Sequence, residues 1–148
     1  MKLLIQRSKK SKVLVDNKIV GEIEKGLVVL VGFTHKDTID DIKKITKKLV
    51  NLRIFDDDNH IMNKSILDVK GQILSISQFT LYADCKKGNR PSYINSMKAN
   101  EAKKLYELFN EEIKKYNIHL ETGIFQSDML VEISNDGPVT IILESEEL

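Results

Sequence analysis

The run Gly26-Leu27-Val28-Val29-Leu30-Val31-Gly32-Phe33 narrows the folds open to this chain more than any other segment, because it passes without a polar side chain. Its length and β-branched content are those of a strand. A strand without polar alternation is buried on both faces. From Met1 up to this run the chain alternates or runs apolar in stretches broken at Asp16-Asn17 and Gly26, which predicts a β-meander over Met1 to Phe33. A helix is predicted next. Asp37 or Thr38 can cap a segment whose Ile39, Ile42, Ile45, Leu49 and Leu52 recur at spacings of three and four, giving one apolar stripe that ends near Arg53.

Beyond the loop around Asp56-Asp57-Asp58, Gly71 to Ser77 reads as a strand that delivers Ser77-Gln78-Phe79-Thr80-Leu81 at its end, and a long Gly- and Lys-containing loop then runs to Pro91. Asn100 can cap a second amphipathic helix with Ala102, Leu105, Tyr106, Phe109 and Ile113 turned inward. Further strands are expected at His119 to Thr122, Met129 to Ser134 and Val139 to Leu143, with Gly137-Pro138 as a turn between the last two. Strands grouped at both ends and two helices between them predict an α+β fold with curved antiparallel sheets. At 148 residues, residues 1–148 form a single domain able to bury a core without disulfides or metal.

Composition excludes several roles. Cys85 is the one cysteine and has no intramolecular partner, and no basic start with a long apolar stretch marks a signal peptide, so a cytoplasmic location is expected. Charges interrupt every apolar run well short of the roughly 20 residues needed to cross a bilayer, so no membrane role is expected. The 23 Lys and Arg nearly balance the 22 Asp and Glu, which leaves local clusters as the informative charges. Arg7, Lys9, Lys10 and Lys12 crowd the N-terminal hairpin, while Lys86, Lys87 and Arg90 follow the SQFTL segment. A solvated face is the plain reading of either cluster; position beside SQFTL makes the second a candidate for phosphate contact. His35, His60, His119 and Cys85 stand in no metal-binding spacing, and no G-x-S-x-G is present, so neither a metal, nor another cofactor, nor a Ser-His-Asp triad is expected.

Two distant segments carry the chemistry: Ser77-Gln78-Phe79-Thr80-Leu81 and Asn135-Asp136-Gly137-Pro138-Val139-Thr140, each following an apolar alternating run. Together they resemble the signature segments of the D-aminoacyl-tRNA deacylases. The resemblance also takes in Leu4-Ile5-Gln6-Arg7, Gly88-Asn89-Arg90-Pro91-Ser92-Tyr93 and Thr122-Gly123-Ile124-Phe125 with Asp128-Met129, in order along nearly the whole chain. Ser8, Ser11, Ile124 and Ser127 depart from its usual pattern. It implies a barrel-like pair of sheets and a homodimer with the site at the subunit interface. The implied activity is hydrolysis of the ester between a D-amino acid, or glycine, and the 3′-terminal ribose of aminoacyl-tRNA. The rivals are a noncatalytic module that holds tRNA ends and a related deacylase with a trans Gly-Pro bond that acts on L-aminoacyl-tRNA.

An ester hydrolase with no metal and no evident triad relies on positioned backbone donors and on chemistry brought by its substrate, which the resemblance implies is the neighbouring 2′-hydroxyl. The resemblance assigns the N–H groups of Gln78 and Phe79 to the oxyanion. Thr80 invites a nucleophile reading, yet no base stands near it in sequence, so positioning is the preferred role. The Ser77 hydroxyl reads as a turn stabiliser. Phe79 is a pocket wall or a stacking partner for the terminal adenine, with a core side chain as the plain alternative. Met129 is implied to lie near the adenine pocket, against the alternative of a strand Met filling a gap. Gly137-Pro138 alone would be a hairpin turn; the resemblance makes it a cis unit that reaches into the partner's pocket and excludes L side chains with its backbone.

Overall fold

The structure is a computed structural model and describes residues 1–148. Four strands occupy the expected N-terminal region: β1 (Lys2–Ser8), β2 (Ser11–Val15), β3 (Lys18–Ile23) and β4 (Gly26–Gly32). They do not form one meander. β1 pairs directly with β4, whereas β2 and β3 form a separate hairpin. Asp16 and Asn17 close that hairpin with φ of 49° and 61°, the left-handed pair that matches the twist of two-residue loops. The split has a packing cause: Val13 and Ile23 of the hairpin close over Val28 of β4, making an apolar layer on that face.

The first helix, α1 (Ile39–Asn51), starts where the sequence places it, with Thr38 and Asp41 in a reciprocal capping box. Its inward stripe is Ile42, Ile45, Leu49 and Val50, and Ile39 is left exposed at the first turn. After it come β5 (Phe55–Asp56), β6 (Met62–Lys64) and β7 (Gln72–Ser77). The second helix, α2 (Ala99–Lys114), begins two residues earlier than an Asn100 cap would allow. Lys98 is its N-cap and supplies no side-chain cap bond. The chain finishes with β8 (Leu120–Thr122), β9 (Leu130–Glu132) and β10 (Asn135–Glu144).

The main sheet has the order β10-β1-β4-β7-β8, and β3-β2-β9 form a smaller one. The α+β class holds. The sheets are not wholly antiparallel, because β4 pairs parallel with β7 and β7 parallel with β8. Parallel neighbours need long crossovers, and α1 and α2 supply them. β10 and β8 remain edges of the main sheet, so no barrel closes.

One face of the main sheet packs on both helices through Leu3, Ile5, Val29, Ile45, Leu49 and Phe109, all at 0% exposure. Each such side chain contributes about 1.5–3 kcal/mol through burial. The other face is partly covered by the small sheet, with Leu74 and Ile76 against Val13 and Ile23. Tyr106 of α2 donates its buried hydroxyl to Ser75 O at 2.7 Å, which fixes β7 from beneath two residues before Ser77.

Candidate active site

A cavity of about 660 Å³ opens at the end of β7, where Ser77, Gln78 and Phe79 form one wall and Phe125, Asp128 and Met129 another. The start of α2 contributes Ala99 and Ala102 to it, and the loop between β7 and α2 contributes Tyr93. Three of the expected site residues on β7's end and the expected Met129 thus share one cavity. They come together because β4, β7 and the small sheet converge there: Val31 and Ile76 make the floor, and Val131 of β9 brings Met129 across.

Phe79–Tyr82 forms a short 3-10 turn directly after β7. Its first N–H groups, those of Phe79 and Thr80, have no acceptor in the chain, whereas Gln78 N donates to Val31 O at 2.7 Å. The N–H of Gln78 is therefore occupied by the sheet and is not a free donor, a correction that follows from the register of β7 beside β4 continuing one residue past the strand. The Gln78 side chain has another use, since Nε2 donates to Thr80 Oγ1 at 2.6 Å. No basic side chain bonds the half-buried Thr80 hydroxyl. Tyr82 closes the turn; burial first, then the Asp37 carboxylate, pushes its phenol far above its ordinary value, so it stays protonated.

Gly123 makes room for Met129. A Cβ on Gly123 would lie 2.3 Å from Met129 Sδ. Phe125 packs beneath, with its ring 5.9 Å from that of Tyr106. Asp128 is the one carboxylate among the cavity-lining residues, and it is exposed.

Gly137 and Pro138 lie inside β10, not in a turn between two strands, because Asn135 already pairs with Ser8 and the ladder resumes at Thr140 opposite Gln6. The irregularity in that ladder lets the chain bow outward at Gly137, which takes φ +131°. The Gly137–Pro138 peptide bond is cis. Both residues are exposed, and neither lines the cavity that holds Phe79 and Met129 of the same chain. Ser11 has a structural role beside this segment: its Oγ accepts from Ser134 N at 3.0 Å.

The two basic clusters differ. Lys9 lies at the Asp136 carboxylate, Lys10 is paired with Glu22 and Glu24, and Lys12 with Glu132. Glu22 and Glu24 accordingly raise the Lys10 amine above its ordinary value. Lys86, Lys87 and Arg90 have no carboxylate within 4.0 Å and are exposed. Arg7, grouped by sequence with the hairpin lysines, is instead buried at 8% exposure and donates to Asp136 O, Ile54 O and the Asp56 carboxylate. The signal for it was available in the strand period, since Arg7 continues the every-second-residue series of the inward Leu3 and Ile5. Tyr93 and Asp128 were given no role by sequence reasoning and have no periodic signature.

Comparison with known proteins places these segments in context. The family model described as D-Tyr-tRNA(Tyr) deacylase matches residues 4–144. A D-aminoacyl-tRNA deacylase from Bacillus cytotoxicus is 57% identical over 145 residues, 98% of this chain and 99% of that protein. One from Bacillus cereus strain B4264 is 54% identical over 145 residues, with coverage of 98% and 99%. Among solved structures, the c-Myc DNA Unwinding Element Binding Protein superimposes with a TM-score of 0.92 at 36% identity, covering 97% of this chain and 98% of that one. A probable eukaryotic D-amino acid tRNA deacylase has the same fold, with a TM-score of 0.83, 16% identity and coverage of 96% and 97%.

Proposed function

The chain belongs to the D-Tyr-tRNA(Tyr) deacylase family, and from that membership we propose that it is an ester hydrolase that removes D-amino acids, and glycine, from the 3′-terminal ribose of tRNA. The observation that carries the reading is the free N–H of Phe79 on the cavity wall, beside the free N–H of Thr80. Two backbone donors fixed at a strand end are suited to a developing oxyanion, a contribution of about a hundredfold or more per donor. Water adds to the ester carbonyl carbon, the oxyanion is held by these donors, and the tetrahedral species collapses with departure of the 3′-oxygen, which takes a proton. The neighbouring 2′-hydroxyl of the substrate orients the water. Phe79 stacks on the terminal adenine and Met129 borders its pocket. Gln78 and Thr80, joined by their 2.6 Å hydrogen bond, hold the turn in shape, and Ser77 leads the strand into it.

Chirality is assigned to Gly137-Pro138 of a second copy. One chain keeps that element outside its own cavity, on the edge strand β10, next to Ile142 at 57% exposure and the half-buried Leu4 opposite it. A homodimer that covers this edge would bring each Gly137-Pro138 to the partner's cavity, where its backbone leaves room for a D side chain and collides with an L one. Lys86, Lys87 and Arg90 serve tRNA phosphates. Residues 1–148 act as one deacylase domain. No helix of the chain is long and apolar enough to cross a membrane.

The test is deacylation of matched D-, L- and glycyl-tRNA with protein far below substrate. Repeated turnover of the D-ester is expected. Tight binding without product would instead identify a noncatalytic module for tRNA ends, and turnover of the L-ester a deacylase of the other chirality.

A further inference from the structure

Phe79 and Tyr93 meet edge to face at the cavity, with ring centroids 5.0 Å apart and planes at 67°. Phe79 is 56% exposed and Tyr93 42%. The loop that carries Tyr93 is held on both sides: Asp84 and Ser92 exchange backbone hydrogen bonds at 2.8 and 2.9 Å, and Ser96 Oγ donates to Phe79 O at 3.0 Å. Thr34 Oγ1 adds a bond to Asn95 O at 2.7 Å. An exposed aromatic on a fixed loop is a pre-formed contact surface, because little side-chain or loop entropy is lost when something covers it. Four cations, Lys86, Lys87, Arg90 and Lys98, belong to the same stretch, and no carboxylate comes within 4.0 Å of any of them; the one carboxylate of the stretch, Asp84, accepts from Lys86 N, and Asp128 lines the cavity.

Aromatic faces interleaved with unpaired cations are the composition of a surface for single-stranded nucleic acid, where bases stack and phosphates are neutralised. We propose that Tyr93 is a second base platform, which takes the nucleotide preceding the terminal adenosine while Phe79 serves the adenine itself; this rests on the deacylase reading above. The steep angle between the rings sets the form of the complex. Bases seated on the two rings lie in different planes, so the 3′ end is unstacked at its last step and the terminal ribose turns into the cavity. Tyr93 thereby distinguishes an amino acid on a polynucleotide from the same ester on a free nucleoside.

The experiment compares kcat/KM for a D-aminoacyl-tRNA with that for the matching 3′-D-aminoacyl-adenosine, in the parent and in Tyr93→Ala, Tyr93→Leu and Tyr93→Phe, with oligomeric state followed by light scattering. The ratio of tRNA to nucleoside efficiency should fall about tenfold or more in the Ala and Leu variants, through KM and not kcat, and be kept by Phe. An equal fall on both substrates, or an unchanged ratio, overturns the proposal. So does dissociation of a dimer in the Leu variant, which would make Tyr93 a subunit contact. Failure of the parent to hydrolyse either ester would sink the deacylase reading; binding of cytidylyl-cytidylyl-adenosine by the same variants then decides the platform, and equal affinity for Ala and parent overturns it.

Discussion

Arg7 Nε donates to the carbonyl oxygen of Asp136 at 3.0 Å, which ties the first strand to the residue immediately before Gly137. The same guanidinium reaches Ile54 O at 2.9 Å and Asp56 Oδ1 at 3.2 Å, so one buried side chain locks three segments together. A Cβ on Gly137 would come within 3.0 Å of Arg7 Nη2, so the glycine and the arginine fit each other closely.

Arg7→Met should therefore cost about 2 kcal/mol, because the buried Ile54 carbonyl and the part-buried Asp136 carbonyl lose their donor. Where the variant folds, the ratio of L to D deacylation should rise as the Asp136-Gly137 backbone loosens. Urea unfolding and paired D and L rates check this. An unchanged ratio in a folded variant would remove Arg7 from the chirality element.

Gly123→Ala should leave the fold nearly intact and damage the site. The added methyl meets the flexible end of Met129 at 2.3 Å, and a thioether moves aside more easily than backbone does. Met129 is then driven from its place, and KM for D-aminoacyl-tRNA should rise by about tenfold. Kinetics beside circular dichroism test the split, and an unaltered KM would place the adenine elsewhere.

The proposed substrate assistance would make two side chains dispensable and one substrate group essential. Asp128→Asn and Thr80→Ser should each retain more than about a hundredth of parental activity, since a true general base is worth roughly 10²–10⁴. A substrate lacking the terminal 2′-hydroxyl, with the amino acid fixed at the 3′ position, should bind and hardly turn over. Trapping an acyl group on Thr80, or a collapse of rate in Asp128→Asn, would replace the 2′-hydroxyl by the side chain concerned.

The basic clusters give a paired comparison. Neutralising Lys86, Lys87 and Arg90 should weaken tRNA binding for every amino acid alike and flatten its salt slope by about two units or more, because three free cations are lost. Neutralising Lys9, Lys10 and Lys12 should change the slope far less, since each already faces a carboxylate. Equal slopes for the two triple variants would contradict the assignment.

What the sequence disclosed follows from the range of the forces involved. α1 was legible because the Thr38 cap and the apolar stripe are local, and β4 because a run without polar residues has one strand reading. The parallel pairing of β4 with β7 was not, since it is made across a helix and leaves no mark in either strand. Gly137-Pro138 looked like a turn because its strand character comes from β1, far away in the chain. At the site, the SQFTL segment identified the right wall of the cavity, but which N–H is free was decided by Val31, a residue of another strand.

The most direct test of the account is the ratio of initial deacylation rates for D-tyrosyl- and L-tyrosyl-tRNA, measured on the native protein with substrate in large excess. Many turnovers per protein on the D-ester, with L-ester loss no faster than in buffer, are predicted. Comparable rates on both esters, or no turnover of the D-ester, would contradict it.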